Sequence, residues 1–199
     1  YSFLKLNKSI DFSQTLIYFI DDNFHAEYLF NRPILSYKEF LKLDASEKYV
    51  NVAIANGKIR EKINHQLMED AISTFQVISD NSVILSDITK SSGLIASPFS
   101  VISSNVEIGD SCHIGFHTSI SHDCKIGNYV TFATGARCNG NVFIEDHAYV
   151  GSGAVVKNGN SERPLIIGKG AIIGMGAVVT KDVPAGITVV GNPAKILIK

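Results

Sequence analysis

From about residue 78 onward the apolar positions recur every six residues. Stepping by six from Ile102 gives Ile108, Ile114, Ile120, Ile126, Phe132, Cys138, Ile144, Val150 and Val156. Four residues after most of these stands a small or β-branched residue: Val106, Cys112, Thr118, Cys124, Val130, Ala136, Val142, Ala148 and Ala154. Glycine often follows the apolar residue directly, as at Gly109, Gly115, Gly127 and Gly151. The register slips across residues 157–165 and resumes at Ile167, Ile173 and Val179. Upstream, Ile78, Ile84 and Ala96 keep step while Lys90 does not, so an irregular first coil is expected. A period of six is neither the 3.6 of a helix nor the 2 of an ordinary strand. It predicts a parallel β-helix in which each hexad supplies one short strand and a corner. Three hexads close a triangular coil, and residues 18 apart then stack at the strand spacing of roughly 4.8 Å.

Ahead of the repeat the period is mixed. Thr15–Ile20 is a β-rich apolar run stopped by the turn cluster Asp21-Asp22-Asn23. Tyr37–Leu43 carries a short helical pattern, and Tyr49–Ala55 alternates and then runs apolar as a strand does. Asn56-Gly57 breaks that run, and Lys58–Asp70 reads as a helix with Ile59, Ile63 and Leu67 on its buried face. Strand alternating with helix predicts a small parallel α/β sheet, whose ligands bind at the carboxyl ends of strands, here Asp21-Asp22-Asn23 and Ala55-Asn56-Gly57. The expected organisation is therefore an α/β domain over 1–77, a β-helix over 78–186 and a C-terminal tail over 187–199. The chain opens at Tyr1, and Tyr1–Leu6 reads as the end of a helix, so further residues are expected ahead of it.

Composition sharpens this outline. Of 199 residues 45 % are hydrophobic, yet aromatics are 9 % and Trp is absent, so burial falls to Ile, Val, Ala and Gly in thin layers. Eighteen basic and 19 acidic residues leave a net charge of -1, which argues against nucleic acid or an anionic membrane as partner. No run of 18 apolar residues exists, so membrane insertion by a spanning helix is not expected. Three cysteines, Cys112, Cys124 and Cys138, fall at inward ladder positions and suit a reducing cytoplasm better than a disulfide framework. His113 and His147 read as surface or interface residues, while His25 and His65 have no informative context.

The hexads, the Ser121–Gly127 segment (Ser-His-Asp-Cys-Lys-Ile-Gly), the Gly135–Val142 segment (Gly-Ala-Arg-Cys-Asn-Gly-Asn-Val) and the ending Gly191-Asn-Pro-Ala-Lys195 resemble the left-handed β-helix acyltransferases. More narrowly, the chain is similar to the sugar acetyltransferases that carry a small Rossmann-like domain in front. That group includes enzymes for nucleotide-linked 4-amino sugars and the sialic acid O-acetyltransferase-like proteins. The resemblance implies a trimer that takes acetyl-CoA as cosubstrate, requires no metal, and N-acetylates a nucleotide-activated amino sugar for surface glycan synthesis.

Acetyl transfer from a thioester needs a base for the acceptor and donors for the developing oxyanion. His122 is the candidate base and Asp123 the group that would fix its tautomer. Gly140 lies 18 residues after His122, one coil on, and the resemblance assigns its backbone N–H to the thioester carbonyl. The same family often has a second histidine nine residues after the first; here that place is Thr131. The resemblance also implies acetyl-CoA contacts at Gly151, Ser152, Gly174, Met175 and Lys195, although glycine is equally the ordinary corner residue. The 158–164 insertion is expected to leave the coil as a loop facing the cofactor or a neighbour. Asp21 and Asp22 match an acidic pair for ribose hydroxyls or base donors, with Ala55 and Asn56 at the neighbouring strand end; alternatively Asp-Asp-Asn only caps a turn.

Three other readings stand beside this one. O-acetylation of a sugar or sialic acid would use the same histidine. A γ-class carbonic anhydrase-like metal protein would use His117 and His122, five apart, but its third histidine should fall near Asn81, where there is none. A non-catalytic sugar-binding module would use the prism only to form trimers.

Overall fold

The computed structural model describes residues 15–198. The expectation for Tyr1–Leu6 lies outside the described residues. From Val77 the chain winds as a three-faced parallel β-helix, and each face is a ladder of two- or three-residue strands. The first face runs through Val77–Ile78, Ile95–Ala96, His113–Ile114, Thr131–Phe132, Tyr149–Val150, Ile172–Ile173 and Thr188–Val190. Lys195–Ile196 closes it antiparallel. The second face holds Val83–Ile84, Val101–Ile102, Ser119–Ile120, Arg137–Cys138, Val155–Val156 and Val178–Val179. The third holds Glu107–Ile108, Lys125–Ile126, Val142–Ile144 and Leu165–Ile167. The third face has no strand in the first coil, which is where Lys90 breaks the repeat.

Register follows the period. His113 pairs with Thr131, Ser119 with Arg137 and Glu107 with Lys125. Beyond the insertion the partners are further apart in sequence, Tyr149 opposite Ile172 and Val155 opposite Val178, because residues 157–164 leave the coil. Of the ten hexad residues from Ile102 to Val156, nine are buried and Ile108 is partly buried. The small positions between them, from Val106 to Ala154, are all buried. The three cysteines are buried and unpaired by any disulfide. Ladders one residue wide admit Ile, Val, Ala and Cys but leave no volume for Trp, which explains the composition.

The corners of the regular coils use the left-handed backbone region. From Gly93 to Gly153 a residue in that region recurs every six positions: Phe99, Asn105, Ser111, His117, Asp123, Tyr129, Gly135, Asn141 and His147 all have positive φ. Glycine, asparagine and aspartate tolerate this conformation, whereas an aromatic residue loses about 1–2 kcal/mol. The aromatic corners are paired along the prism. Phe99 stacks on His117 with ring centroids 5.1 Å apart, and Tyr129 on His147 at 5.3 Å. Such a stack returns about 0.5–1.5 kcal/mol and offsets part of that strain.

The residues ahead of the prism divide by packing at 48/49, earlier than the change of period near residue 77. Residues 15–48 form one compact unit: β1 (Phe19–Ile20), β2 (Tyr28–Leu29), β3 (Arg32–Leu35) and α1 (Tyr37–Leu41). β1 pairs in parallel with β3, a strand the pattern does not announce, while the Tyr49–Ala55 run pairs with residues 73–74 in a separate sheet; β2 and β3 form a hairpin that is likewise unannounced. Its tip is Phe30-Asn31, both with positive φ, and phenylalanine is not a turn signal. Ser36 and Glu39 form a capping box at the start of α1.

Residues 49–75 pack with the prism. They comprise β4 (Tyr49–Val50), α2 (Gly57–Glu69) and β5 (Ser73–Thr74), with β4 and β5 parallel. Asn56 caps α2 through its side chain, which accepts from Lys58 N and Ile59 N. The buried face of α2 carries Arg60 and Leu67, whereas Ile59 is exposed, so the helix is rotated from the Ile59–Ile63–Leu67 face the pattern predicts. Arg60 is the reason. Its guanidinium is wholly buried and donates to the carbonyls of Ser111, Ile54, Ala55, Tyr129 and Val130.

Candidate active site

The second face ends at a vertical edge on which Asn105, Asp123 and Asn141 occupy successive corners. His122 projects from that edge with its side chain 59 % exposed, and its Nδ1 lies 2.7 Å from Asp123 Oδ2. Asp123 is held in the left-handed region at φ 59°, and Asn105, one coil below, donates its side-chain amide to Asp123 Oδ1 at 2.5 Å. The Asn105 amide, and then the His122 ring, hold the Asp123 carboxyl below its ordinary range, so it is ionised at neutral pH. An ionised partner at Nδ1 places the imidazole proton on that nitrogen and leaves Nε2 as the basic atom. Asn105 has no place among the residues singled out by motif; the 18-residue period applied to Asp123 leads to it directly.

Gly140 stands one coil above His122. A Cβ built on it would come within 2.7 Å of His122 Cε1 and 2.8 Å of Nε2, so the ring lies flat against the glycine and admits no side chain there. The Gly140 N–H makes no hydrogen bond among the described residues. An imidazole with its lone pair at Nε2 thus sits beside a backbone donor that is free among the described residues. This is the pair that acyl transfer to an amine or hydroxyl requires.

The residues assigned to acetyl-CoA lie on a different edge, the one that follows the first face. A Cβ on Gly151 would meet Ile173 O at 2.6 Å and Met175 N at 2.7 Å, so Gly151 and the Gly174-Met175 corner stack in contact. The N–H of Gly176 donates to Ser152 O at 2.8 Å. Met175 is 82 % exposed. Lys195 is exposed on the closing antiparallel strand. Within one chain these residues therefore share a column with one another and not with His122 and Gly140.

Asp21 Oδ1 accepts from Asn23 N at 2.9 Å, and Asp22 Oδ1 accepts from Tyr37 N at 2.8 Å, tying the end of β1 to α1. In the other unit, Asn56 is spent on the α2 cap and Ala55 O accepts from Arg60 Nη1 at 2.9 Å and Thr131 Oγ1 at 3.1 Å. Thr131 is buried, so the place where the resemblance would put a second histidine here braces the 49–75 segment. His113 and His147 lie under that segment rather than at a solvent surface: His113 Nε2 is 3.0 Å from Val52 O, and His147 Nε2 is 3.4 Å from Glu61 Oε2.

The family description "Bacterial transferase hexapeptide (six repeats)" matches residues 105–140, the coils that carry Asn105, His122, Asp123 and Gly140. The chain is 50 % identical over 183 residues to the GDP-perosamine N-acetyltransferase of Escherichia coli O157:H7, covering 92 % of this chain and 83 % of that one. The chain belongs to the hexapeptide-repeat acetyltransferases. Its fold matches WeeI from Acinetobacter baumannii AYE with a TM-score of 0.87 and 52 % identity, over 90 % of this chain and 84 % of WeeI. It also matches PerB from Caulobacter crescentus, solved with CoA and GDP-perosamine, with a TM-score of 0.79 over 86 % of this chain and 81 % of PerB; at 24 % identity that likeness speaks for the fold alone.

As a hexapeptide-repeat acetyltransferase, the chain has the left-handed β-helix architecture that the resemblance implied. Its two candidate metal-ligating histidines diverge: His117 is on the edge after the first face, stacked on Phe99, and His122 is on the next edge. No helix among the described residues is long and apolar enough to cross a membrane.

Proposed function

We propose that this acetyltransferase moves the acetyl group of acetyl-CoA to the amine of a GDP-linked amino sugar, with GDP-perosamine as acceptor. The 50 % identity to a GDP-perosamine N-acetyltransferase supports the acceptor. The observation that carries the chemistry is the His122 ring, oriented by Asp123 and laid against Gly140. In this reading Nε2 takes a proton from the amine as its nitrogen bonds to the thioester carbon. The Gly140 N–H holds the carbonyl oxygen as it gains negative charge. The C–S bond then breaks, and the imidazolium returns the proton to the departing thiolate, giving the acetamide and CoA.

The working form in this proposal is a homotrimer in the cytoplasm. Val83, Leu85, Phe99, Val101, Phe116 and Met175 leave apolar surface exposed on the second face and its flanking edges, a strip that a second copy would cover. Such packing brings the His122 edge of one chain to the Gly151–Met175 edge of the next, uniting groups that a single chain keeps apart. Asp21 and Asp22, each with one carboxylate oxygen unused among the described residues, are assigned to the nucleotide.

Thiol release would be followed with acetyl-CoA and GDP-, UDP- and dTDP-linked amino sugars. The expected result is turnover with GDP-perosamine and an amide product resistant to mild base. A base-labile ester product would favour O-acetylation, and no thiol release with any acceptor would overturn the assignment. The variant His122→Ala should lose about 10²- to 10⁴-fold in kcat while keeping its CoA affinity and assembly; unchanged turnover would remove His122 from the chemistry.

A further inference from the structure

His122 and Asp123 are neighbours in sequence, and both side chains are partly exposed. An exposed contact of that kind is ordinarily weak, because water competes for it and both side chains lose freedom in making it. Here the carboxylate is also held from its other end. Asp123 Oδ2 meets His122 Nδ1 at 2.7 Å, and Asp123 Oδ1 accepts from Asn105 Nδ2 at 2.5 Å. Both oxygens are engaged, so the carboxylate cannot turn about its terminal bond without losing a partner. Asn105 stands 18 residues earlier, one coil below, and reaches up the edge to make this contact.

The corner itself does not demand asparagine. Equivalent left-handed positions on the other edges hold Phe99, Ser111, His117, Tyr129 and His147, so a backbone like that of Asn105, at φ 55°, accepts many residues. Asx side chains elsewhere in the prism are spent on the backbone of a neighbouring coil: Asp146 Oδ1 accepts from Asn128 N, and Asn128 Oδ1 from Asp110 N, both at 2.8 Å. The Asn105 amide goes instead to a side-chain carboxylate, and that carboxylate is the one beside the proposed base. Its chemistry suits the place. Lysine or arginine would neutralise Asp123, whereas an amide donates without cancelling the charge. The carboxylate then remains able to support the imidazolium that forms when the ring takes up a proton.

We propose that Asn105 is a positioning residue for acyl transfer: by fixing Asp123 it orients the His122 ring and keeps the imidazole proton on Nδ1. Nε2 then presents its lone pair beside Gly140. The inference rests on the acetyltransferase reading and adds to it a residue that acts only through Asp123. If Asp123 turns away, the ring loses its Nδ1 partner and exchanges between tautomers. The fraction with its proton on Nε2 cannot accept one from the amine. Asn105 also lines a groove on the third face with Glu107 and Lys125, so the test must separate positioning from a direct contact with substrate.

The variants Asn105→Gly and Asn105→Asp both suit a left-handed corner, so both keep the fold. The first removes the donor, and the second replaces it with an acceptor that repels Asp123. Thiol release from acetyl-CoA with GDP-perosamine should show kcat lowered about tenfold in Asn105→Gly, as for outer partners of other oriented histidines, and further in Asn105→Asp. The KM for each substrate and the melting temperature should stay at wild-type values. Nitrogen-15 spectra of histidine-labelled protein, recorded with the ring neutral, need no turnover; the His122 signals are those lost in His122→Ala. They should show the proton on Nδ1 in wild type and mixed tautomers in Asn105→Gly. A kcat within twofold of wild type in Asn105→Gly, an unchanged tautomer, or a raised KM in place of a lowered kcat would each overturn the proposal. Absence of thiol release by the wild type would sink the acetyltransferase reading, while the tautomer comparison would still decide what Asn105 does.

Discussion

At the scale of single residues, the recess around His122 is defined by what Gly140 lacks. A methyl group there would fall 2.7–2.8 Å from the imidazole, too close for both to remain in place. The replacement Gly140→Ala keeps the backbone N–H, so it displaces the base and not the oxyanion donor. It should lower kcat by about 10²-fold or more with an unchanged melting temperature, because the methyl meets only the exposed His122 ring, which can swing into solvent. Arg60 poses the opposite case. Its charge is buried with no carboxylate beside it and is satisfied by five carbonyls, and burial pulls its pKa down to about 10, still cationic at neutral pH. Lysine carries the charge but not the planar fork of donors. Both Arg60→Lys and Arg60→Met should therefore cost about 2–4 kcal/mol, read from urea unfolding at fixed protomer concentration. Equal stability of the lysine variant would show that the fork geometry contributes little.

At the scale of elements, the 49–75 segment is held to the first face by polar contacts as well as apolar ones, and this makes its attachment sensitive to pH. His113 Nε2 faces Val52 O, and burial, with the nearby Arg60 cation, pushes the His113 pKa down to about 4. The neutral ring is the folded form, whereas the unfolded chain takes up a proton near pH 6.5. Between these values the unfolded state binds more protons, so stability is full above pH 6.5 and falls as pH drops towards 4. The loss is on the order of 3 kcal/mol. The variant His113→Gln should flatten this part of the stability profile; a slope equal to wild type would assign the acid sensitivity elsewhere. The same segment shows which elements the sequence announces. A prism repeats one decision in every hexad, so Ile120 or Cys138 is predicted many times over, and the 18-residue stack then places His122 on Gly140. A lone helix is read once, from Ile59, Ile63 and Leu67, and a buried arginine reverses the reading because its pattern is polar while its environment is carbonyl-lined. The β2–β3 hairpin is silent for a related reason: Phe30 adopts the left-handed turn conformation without a residue that signals it.

At the scale of the whole molecule, the decisive fact is that His122, the proposed base, and the Gly151–Met175 column, the proposed acetyl-CoA contact, occupy different edges of one prism. A cyclic trimer repeats one heterologous contact three times, so each proposed site takes His122 from one chain and Met175 from its neighbour. Chains carrying only His122→Ala, or only Met175→Asp, should each be nearly inactive. Refolded together in equal amounts, they should recover about a quarter of wild-type activity, because one contact in four joins an intact His122 to an intact Met175. A site contained within a single chain would give no recovery, since every chain then carries one defect. Recovery that rises and falls with the mixing ratio, greatest at equal proportions, would locate acetyl transfer between subunits. It would also explain why a fold with such regular edges places its glycine column and its histidine on two of them.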